Sequence, residues 1–125
     1  MPRLLLVDDE ATLLQLLQRY LERLGYEVDT ALTPAGALSK FQADPTSYDL
    51  ILTDLSFPEL NGEDMLSRMR ALKPGLPAII SSGRPYEPQL AGVAFLQKPF
   101  LPKMLVEVLE KMLPAPRTPA PPTRS

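Results

Sequence analysis

Five residues with reactive or metal-binding side chains each come directly after a short apolar segment of this sequence: Asp8, Asp9, Asp54, Ser82 and Lys98. Carboxylates that lie close together repel one another, which raises their pKa values unless a cation neutralises them. Oxygen ligands of this kind suit Mg²⁺, which takes an octahedron of ligands at about 2.0–2.1 Å. A lysine can balance one negative charge and pair with phosphate oxygens. A carboxylate is the best-placed nucleophile of the set, since aspartyl phosphates are a known covalent outcome.

Each of these residues, taken alone, also has a purely structural explanation. An aspartate that follows a strand is usually a turn former or a helix N-cap, which would account for each of the three aspartates separately. A serine before Gly83 would alone indicate a turn, and a lysine before Pro99 a solvated charge. The chemical interpretation depends on the joint pattern, because every residue of the set falls at the same end of its predicted strand.

The chain alternates short apolar segments with amphipathic stretches, which predicts five strands and the helices between them. The predicted strands are 4–7, 26–32, 50–53, 78–81 and 93–97. The predicted helices are 11–24, capped by Gly25; 33–44, with Thr33 as N-cap and Pro34 next; a stretch with Met65, Leu66, Met69 and Leu72 that ends before Pro74; and a stretch from Leu101 to Met112. Such alternation predicts a parallel sheet with helices on both faces, which binds ligands at the carboxyl ends of its strands.

The composition indicates one globular domain and excludes several kinds of site. The 125 residues are 45% hydrophobic, which is enough to form a core. The net charge of −2 argues against a general nucleic-acid or membrane-surface binder. Because the chain has no Cys and no His, it can form no disulfide, thiolate metal site or phosphohistidine, so any phosphoryl donor must be another molecule. No apolar run reaches the roughly 20 residues of a membrane span, and we expect a cytoplasmic location.

Proline divides the chain into two parts. Five of the 15 prolines fall within residues 114–125, which show no hydrophobic periodicity. We therefore predict a structured domain over residues 1–113 and a disordered tail or linker over residues 114–125. A ligand for a proline-recognising module is the alternative for the tail.

The motifs around the five polar residues resemble those of a known family, the CheY-like receiver domains of two-component signalling. The resemblance covers about residues 2–113, and both the order and the local context of the motifs match. The residues that carry it lie in segments 6–10, 54–62, 82–83 and 95–100. It implies a flavodoxin-like (βα)5 doubly wound parallel sheet with the strand order 2-1-3-4-5.

The resemblance also implies a role for each site residue. Asp54 would be the phosphoacceptor, supplied by a partner histidine kinase or a phosphotransfer protein. Mg²⁺ would be held by the side chains of Asp8, Asp9 and Asp54 and by the backbone carbonyl of Ser56. Ser82 would hydrogen-bond the phosphoryl group, Lys98 would pair with it, and Phe95 would be the switch aromatic that turns inward. The Lys98–Pro99 bond is expected to be cis.

The sequence departs from the family pattern between Ser82 and Lys98, where the span is short. It contains Pro85 and Pro88, and an interior proline costs a helix about 3 kcal/mol. We therefore expect the family's fourth helix, part of its usual signalling face, to be short or absent here. Arg84 has two interpretations: a solvated surface residue, or a side chain that reaches the phosphoryl oxygens and tunes hydrolysis.

We expect a signalling phosphoacceptor rather than an enzyme, with only self-phosphorylation and auto-dephosphorylation. Its partners would be the kinase or phosphotransfer protein and a downstream protein or output domain, with no direct nucleic-acid contact and no membrane insertion. A phosphorylation-independent pseudo-receiver that serves as an interaction module is one alternative. An aspartate-nucleophile phosphatase is another, although its acid/base aspartate would stand where this chain has Ser56.

Overall fold

The computed structural model describes residues 2–113, which form five strands and four α-helices. The strands are β1 (Arg3–Val7), β2 (Glu27–Ala31), β3 (Leu50–Asp54), β4 (Ala78–Ser82) and β5 (Val93–Gln97). The helices are α1 (Ala11–Arg23), α2 (Pro34–Ala43), α3 (Gly62–Leu72) and α4 (Pro102–Met112), with a short 3-10 helix at Pro45–Ser47. The predicted tail, residues 114–125, lies outside the described residues.

The five strands form one parallel sheet in the order β2-β1-β3-β4-β5. This confirms the predicted flavodoxin-like fold. Because all strands run the same way, their carboxyl ends lie along a single edge of the sheet. The register pairs Asp54 on β3 with Ser81 on β4, so these two residues occupy neighbouring positions near that edge.

Alternate residues of each strand enter two separate hydrophobic clusters, one on either face of the sheet. On one face, Leu4 and Leu6 of β1 pack with buried residues of α1 and α4. On the other face, Leu5 and Val7 pack with buried residues of α2 and α3. Strands buried on both faces explain why the sequence shows continuous apolar segments instead of alternation.

The element boundaries agree with the sequence to within one or two residues. Thr33 caps α2 as predicted, with its side-chain oxygen accepting a hydrogen bond of 3.0 Å from the amide of Gly36. Asp54 and Ser82 are the last residues of β3 and β4 and not the first residues after them, which corrects each predicted strand end by one position. The 3-10 helix was not predicted.

No helix is present between β4 and β5, where the structure describes every residue from 83 to 92. This loop, which we call the β4–β5 loop, agrees with the expectation of a short or absent fourth helix. Proline has no backbone N–H and fixes its own φ, so Pro85 and Pro88 prevent regular helical hydrogen bonding. Helix α4 of this chain therefore follows β5. Among the described residues, none of the helices is both long and apolar enough to cross a membrane.

Candidate functional site

Three carboxylates meet at the carboxyl edge of the sheet, two from the end of β1 and one from the end of β3. One oxygen each of Asp8, Asp9 and Asp54 lies within 4.8 Å of the others. Asp8 is buried, Asp54 has 14% of its side chain exposed, and Asp9 is exposed. The cluster is therefore open to solvent on one side and closed on the other.

Lys98, directly after β5, is the cation of this cluster. Its Nζ lies 2.6 Å from Asp8 Oδ2, 3.6 Å from Asp54 Oδ1 and 3.5 Å from Glu10 Oε1. Burial lowers the pKa of Lys98, but the hydrogen bond to Asp8 and the surrounding negative charges outweigh burial and raise it. Lys98 is therefore a fully charged ammonium group at neutral pH.

The charged form of Asp54 is disfavoured at this site, whereas the charged form of Lys98 is favoured. Burial raises the pKa of Asp54; the charge of Lys98 opposes that shift, and the charge of Asp8 adds to it, so the pKa ends above its ordinary value. The carboxylates of Asp8, Glu10 and Asp54 lie within 4 Å of the Lys98 ammonium group, and Asp9 adds a fourth carboxylate to the cluster. The site thus carries excess negative charge that a cation would relieve.

The carboxylate geometry fits a small divalent cation. Ligands at about 2.0–2.1 Å place opposite oxygens of an octahedron about 4.2 Å apart, and the three carboxylate oxygens already lie within 4.8 Å of one another, so small side-chain movements would bring all three to one ion. Asp8 is held in place because its Oδ1 accepts a hydrogen bond of 2.9 Å from the amide of Glu10 while its Oδ2 accepts from Lys98. An all-oxygen set of this kind favours Mg²⁺ over softer metals.

Ser82 and Arg84 lie at the same edge, at the start of the β4–β5 loop. Ser82 is 8% exposed, and its Oγ accepts a hydrogen bond of 3.2 Å from the backbone amide of Arg84. The side chain of Arg84 is exposed and makes no hydrogen bond or ion pair with residues 2–113.

The two remaining predicted site residues, Ser56 and Phe95, lie near this edge of the sheet in different environments. Ser56 is exposed in the loop between β3 and α3. Phe95 on β5 is partly buried and packs against the hydrophobic cluster on the α2–α3 side. The Lys98–Pro99 peptide bond is cis, as predicted.

An open cleft with a volume of about 470 Å³ lies beside Lys98. Apart from Lys98, its lining residues are Glu10, Leu13, Gly83, Pro99 and Phe100. A reactive group carried by another molecule can therefore approach the cluster from this side.

Sequence reasoning did not assign a physical reason to Gly62 and overlooked Glu10 and Glu63. A Cβ atom on Gly62 would lie 2.2 Å from the carbonyl oxygen of Asp54, so only glycine allows α3 to begin this close to β3. Glu10 extends the acidic run that begins at Asp8, which is a sequence signal that could have been used. Glu63 resembles an ordinary first-turn acid of a helix, and no local pattern distinguishes it.

Comparison with known proteins gives consistent matches over nearly the whole chain. The family model described as the response regulator receiver domain matches residues 4–110. The response regulator SaeR of Staphylococcus aureus is 31% identical over an alignment 119 residues long, which covers 90% of this chain and 51% of that protein. The chain thus spans about half the length of the curated relatives it matches.

Solved structures show the same similarity in three dimensions. The receiver domain of the hybrid histidine kinase CckA aligns with a TM-score of 0.79 at 30% identity, over 88% of this chain and 97% of that one. The response regulator TrrA of Thermotoga maritima, solved in complex with Mg²⁺ and BeF, aligns with a TM-score of 0.79 at 32% identity, over 90% of this chain and all (100%) of that one.

Proposed function

Because this chain belongs to the response regulator receiver domain family, we propose that Asp54 accepts a phosphoryl group from a partner histidine kinase or phosphotransfer protein. The observation that carries this proposal is the convergence of three carboxylates and one ammonium group at the edge of the sheet. The receiver family of two-component systems acts as a signalling phosphoacceptor.

Mg²⁺ binding is a general property of the family, and the acidic cluster of this chain supports it. Asp8, Asp9 and Asp54 would hold the ion with their carboxylates, and Ser56 with its backbone carbonyl. When bound, Mg²⁺ supplies positive charge to the oxygens of the transferred group. The complex of TrrA with Mg²⁺ and BeF is a solved example of such binding in a protein with a similar fold.

Asp54 would supply the nucleophilic oxygen of the reaction, and Lys98 would stabilise the charge of the transition state. An oxygen of Asp54 forms a bond to phosphorus while the bond from phosphorus to the donor nitrogen breaks, and the donor leaves with that electron pair. Charge spreads over the three equatorial oxygens in the transition state, so positioning and charge stabilisation account for most of the catalysis. Lys98, 3.6 Å from Asp54 Oδ1, is close enough to pair with one of these oxygens.

Ser82 and Phe95 would change position in response to the charge of the phosphoryl group. An aspartyl phosphate adds close to two negative charges, which can reorder a neighbouring loop. The Ser82 hydroxyl would turn from the Arg84 amide toward the phosphoryl group, and Phe95 would move further inward behind it. The changed surface would then be recognised by a downstream protein or an output domain.

A direct test measures phosphorylation by intact mass. The wild-type chain is incubated with Mg²⁺ and acetyl phosphate, with Asp54→Asn as the variant and Asp44→Asn, an exposed aspartate away from the cluster, as the control. We expect one phosphoryl group on the wild type and on Asp44→Asn, and none on Asp54→Asn. A wild type that gains no mass, from acetyl phosphate or from a phosphorylated kinase, would overturn the proposal.

A pseudo-receiver is the second candidate, favoured by one observation: no helix lies between β4 and β5, so part of the family's usual signalling face is missing. Such a module would bind its partner equally well whether Asp54 is intact or replaced. The phosphatase alternative has less support, because an exposed serine, Ser56, stands where its acid/base aspartate would be needed.

A further inference from the structure

The β4–β5 loop is anchored to helix α3 by a single buried carboxylate, that of Glu63. Glu63 is 7% exposed and accepts hydrogen bonds from three donors of the loop. Oε1 accepts from the hydroxyl of Tyr86, and Oε2 accepts from the backbone amides of Gln89 at 2.6 Å and Leu90 at 2.9 Å. Both oxygens are therefore used by a segment 23–27 residues further along the chain.

The location of Glu63 near the start of α3 does not by itself explain these contacts. An acid in the first helical turn interacts favourably with the helix dipole while it remains in water. Burial raises the pKa of Glu63, but the hydrogen bonds from Tyr86, Leu90 and Gln89 outweigh burial and lower it. The carboxylate is therefore charged at neutral pH, and its hydrogen bonds are charge-assisted, about twice as strong as neutral ones.

The same turn of α3 also rests on the backbone of the phosphoacceptor. The amide of Gly62 donates to the carbonyl of Leu55 at 2.7 Å, and the missing side chain of Gly62 leaves room for the carbonyl of Asp54. Glu63 is the next residue. The first turn of α3 thus touches the phosphorylation site on one side and the β4–β5 loop on the other.

The anchored loop is joined at its first end to a residue of the proposed reaction. It begins directly after Ser82, and the amide of Lys98 donates to the carbonyl of Ser82 at 2.8 Å. Tyr86 and Leu90 pack against the same hydrophobic cluster as Phe95. A loop without helical hydrogen bonds needs other contacts to define its position, and Glu63 provides three.

We propose that Glu63 is a positioning residue: it fixes the β4–β5 loop against α3 and thereby sets the position of Ser82 and Arg84 at the phosphorylation site. The anchoring is a property of the unphosphorylated protein, and only its effect on phosphoryl chemistry rests on the proposed function. The partner on the loop is the Tyr86 hydroxyl together with two main-chain amides.

The anchoring is tested by amide hydrogen exchange in the unphosphorylated protein. Glu63→Gln keeps the size of the side chain but removes its charge, and Tyr86→Phe removes one donor only. Asp64→Asn is the matched control, because Asp64 carries the same charge in the same helical turn but is exposed. We expect exchange of the Gln89 and Leu90 amides to become about tenfold faster in Glu63→Gln, less so in Tyr86→Phe, and to stay unchanged in Asp64→Asn.

The positioning is tested by the half-life of the Asp54 phosphate, formed with Mg²⁺ and acetyl phosphate. We expect Glu63→Gln and Tyr86→Phe each to change the half-life several-fold, and the double variant to change it by less than the product of the two, because both act through one contact. Unchanged exchange at Gln89 and Leu90 would overturn the anchoring. Faster exchange with an unchanged half-life would overturn the positioning.

The two proposals fail in different ways. If the wild-type chain takes up no phosphoryl group, the proposed function fails, and the positioning of its site fails with it. Faster exchange in Glu63→Gln would still support the anchoring in that case. Tyr86→Phe retains two of the three hydrogen bonds and serves as the milder variant if Glu63→Gln does not fold.

Discussion

At the scale of single residues, the site is defined by an imbalance of charge. Lys98 contacts Asp8 at 2.6 Å and lies within 4 Å of Asp54 and Glu10, yet one ammonium cannot neutralise the whole cluster. Removing one partner of a buried ion pair leaves an uncompensated charge, which costs about 3–5 kcal/mol. Like charges that stay close together without a counter-ion also reduce stability. The residual negative charge is the reason why we expect a bound cation to stabilise the fold.

The first prediction concerns Mg²⁺ and Asp9. A ligand that binds only the folded state stabilises it by about 2.7 kcal/mol at a concentration one hundred times its Kd. We expect Mg²⁺ to raise the melting temperature of the wild type, and Asp9→Asn to raise the melting temperature without Mg²⁺ while losing most of the Mg²⁺ response. Thermal unfolding with and without Mg²⁺ measures both effects. Glu107→Gln, an exposed acid on α4, serves as the control and should keep the wild-type response.

The second prediction concerns two tyrosines that ionise late. The hydrogen bond to Glu63 and then burial raise the pKa of Tyr86 to about 12, and burial followed by the hydrogen bond to Asp29 raises the pKa of Tyr48 to about 12. A raised pKa means that the folded state binds the phenol proton more tightly than the unfolded state does, which stabilises the fold. This contribution to the free energy of unfolding is complete below pH 10.0, the ordinary pKa of tyrosine, and is lost as the pH rises toward about 12. Tyrosinate absorbance during an alkaline titration measures these ionisations. Tyr86→Phe should remove one late-ionising group; an unchanged number would contradict the contact with Glu63.

At the scale of secondary-structure elements, the start of α3 is the most constrained position of the site. Asn61 caps the helix by accepting a hydrogen bond of 2.8 Å from the amide of Asp64. The next residue, Gly62, packs directly on the end of β3. The helix therefore cannot move away from Asp54 or toward it without disturbing the backbone.

The third prediction tests this contact with Gly62→Ala. The new Cβ would lie 2.2 Å from the carbonyl oxygen of Asp54 and 3.1 Å from side-chain atoms of Thr53, and the backbone oxygen cannot turn aside. We expect a loss of about 1–3 kcal/mol in the free energy of unfolding, since overpacking forces a backbone shift. Chemical denaturation measures it. Gly83→Ala, where a Cβ would meet nothing within 4 Å, should change stability by less than about 0.5 kcal/mol.

At the scale of the whole molecule, a separate network of polar side chains connects the strands near the edge of the sheet opposite the site. Asp29 on β2 accepts from Arg3 at 2.9 Å and from the hydroxyl of Tyr48 at 2.5 Å, and Arg3 also lies 5.4 Å from the centre of the Tyr48 ring. The amide of Arg3 donates to Asp49 at 2.8 Å. The network connects β1 and β2 with the segment that enters β3, far from Asp54 along the strands.

The fourth prediction concerns unfolding in acid. Burial raises the pKa of Asp29, but the hydrogen bonds from Tyr48 and Arg3 outweigh burial and lower it below 3.8. A lowered pKa in the folded state contributes stability above the ordinary value, and this contribution is lost as the pH falls through the folded-state pKa. We expect Asp29→Asn to be less stable than the wild type at neutral pH and to lose less stability between about pH 5 and pH 2. Circular dichroism during acid titration measures this; parallel curves for the two proteins would contradict it.

Much of the fold and of the site could be predicted from the sequence, because the signals concerned are local. Apolar segments predicted the strands, Thr33 followed by Pro34 predicted the start of α2, and Pro85 with Pro88 predicted that the helix between β4 and β5 would be short or absent. The positions of Asp8, Asp9, Asp54 and Lys98 at strand ends were visible in the same way. In a parallel sheet those ends share an edge, so their meeting followed from the topology.

Only the tertiary structure decided the contacts between residues that no local sequence pattern connects. Asp8 and Lys98, which are 90 positions apart in the sequence, form an ion pair that no local pattern predicts. In the sequence Glu63 looks like an ordinary acid of a first helical turn, but in the structure its carboxylate accepts three hydrogen bonds from the β4–β5 loop. Periodicity and capping report short-range preferences of the backbone, whereas hydrogen-bond partners and burial depend on how the packed elements approach each other. The sequence therefore determined which groups gather at the edge of the sheet, and the packing of the elements against one another determined which of these groups make contact.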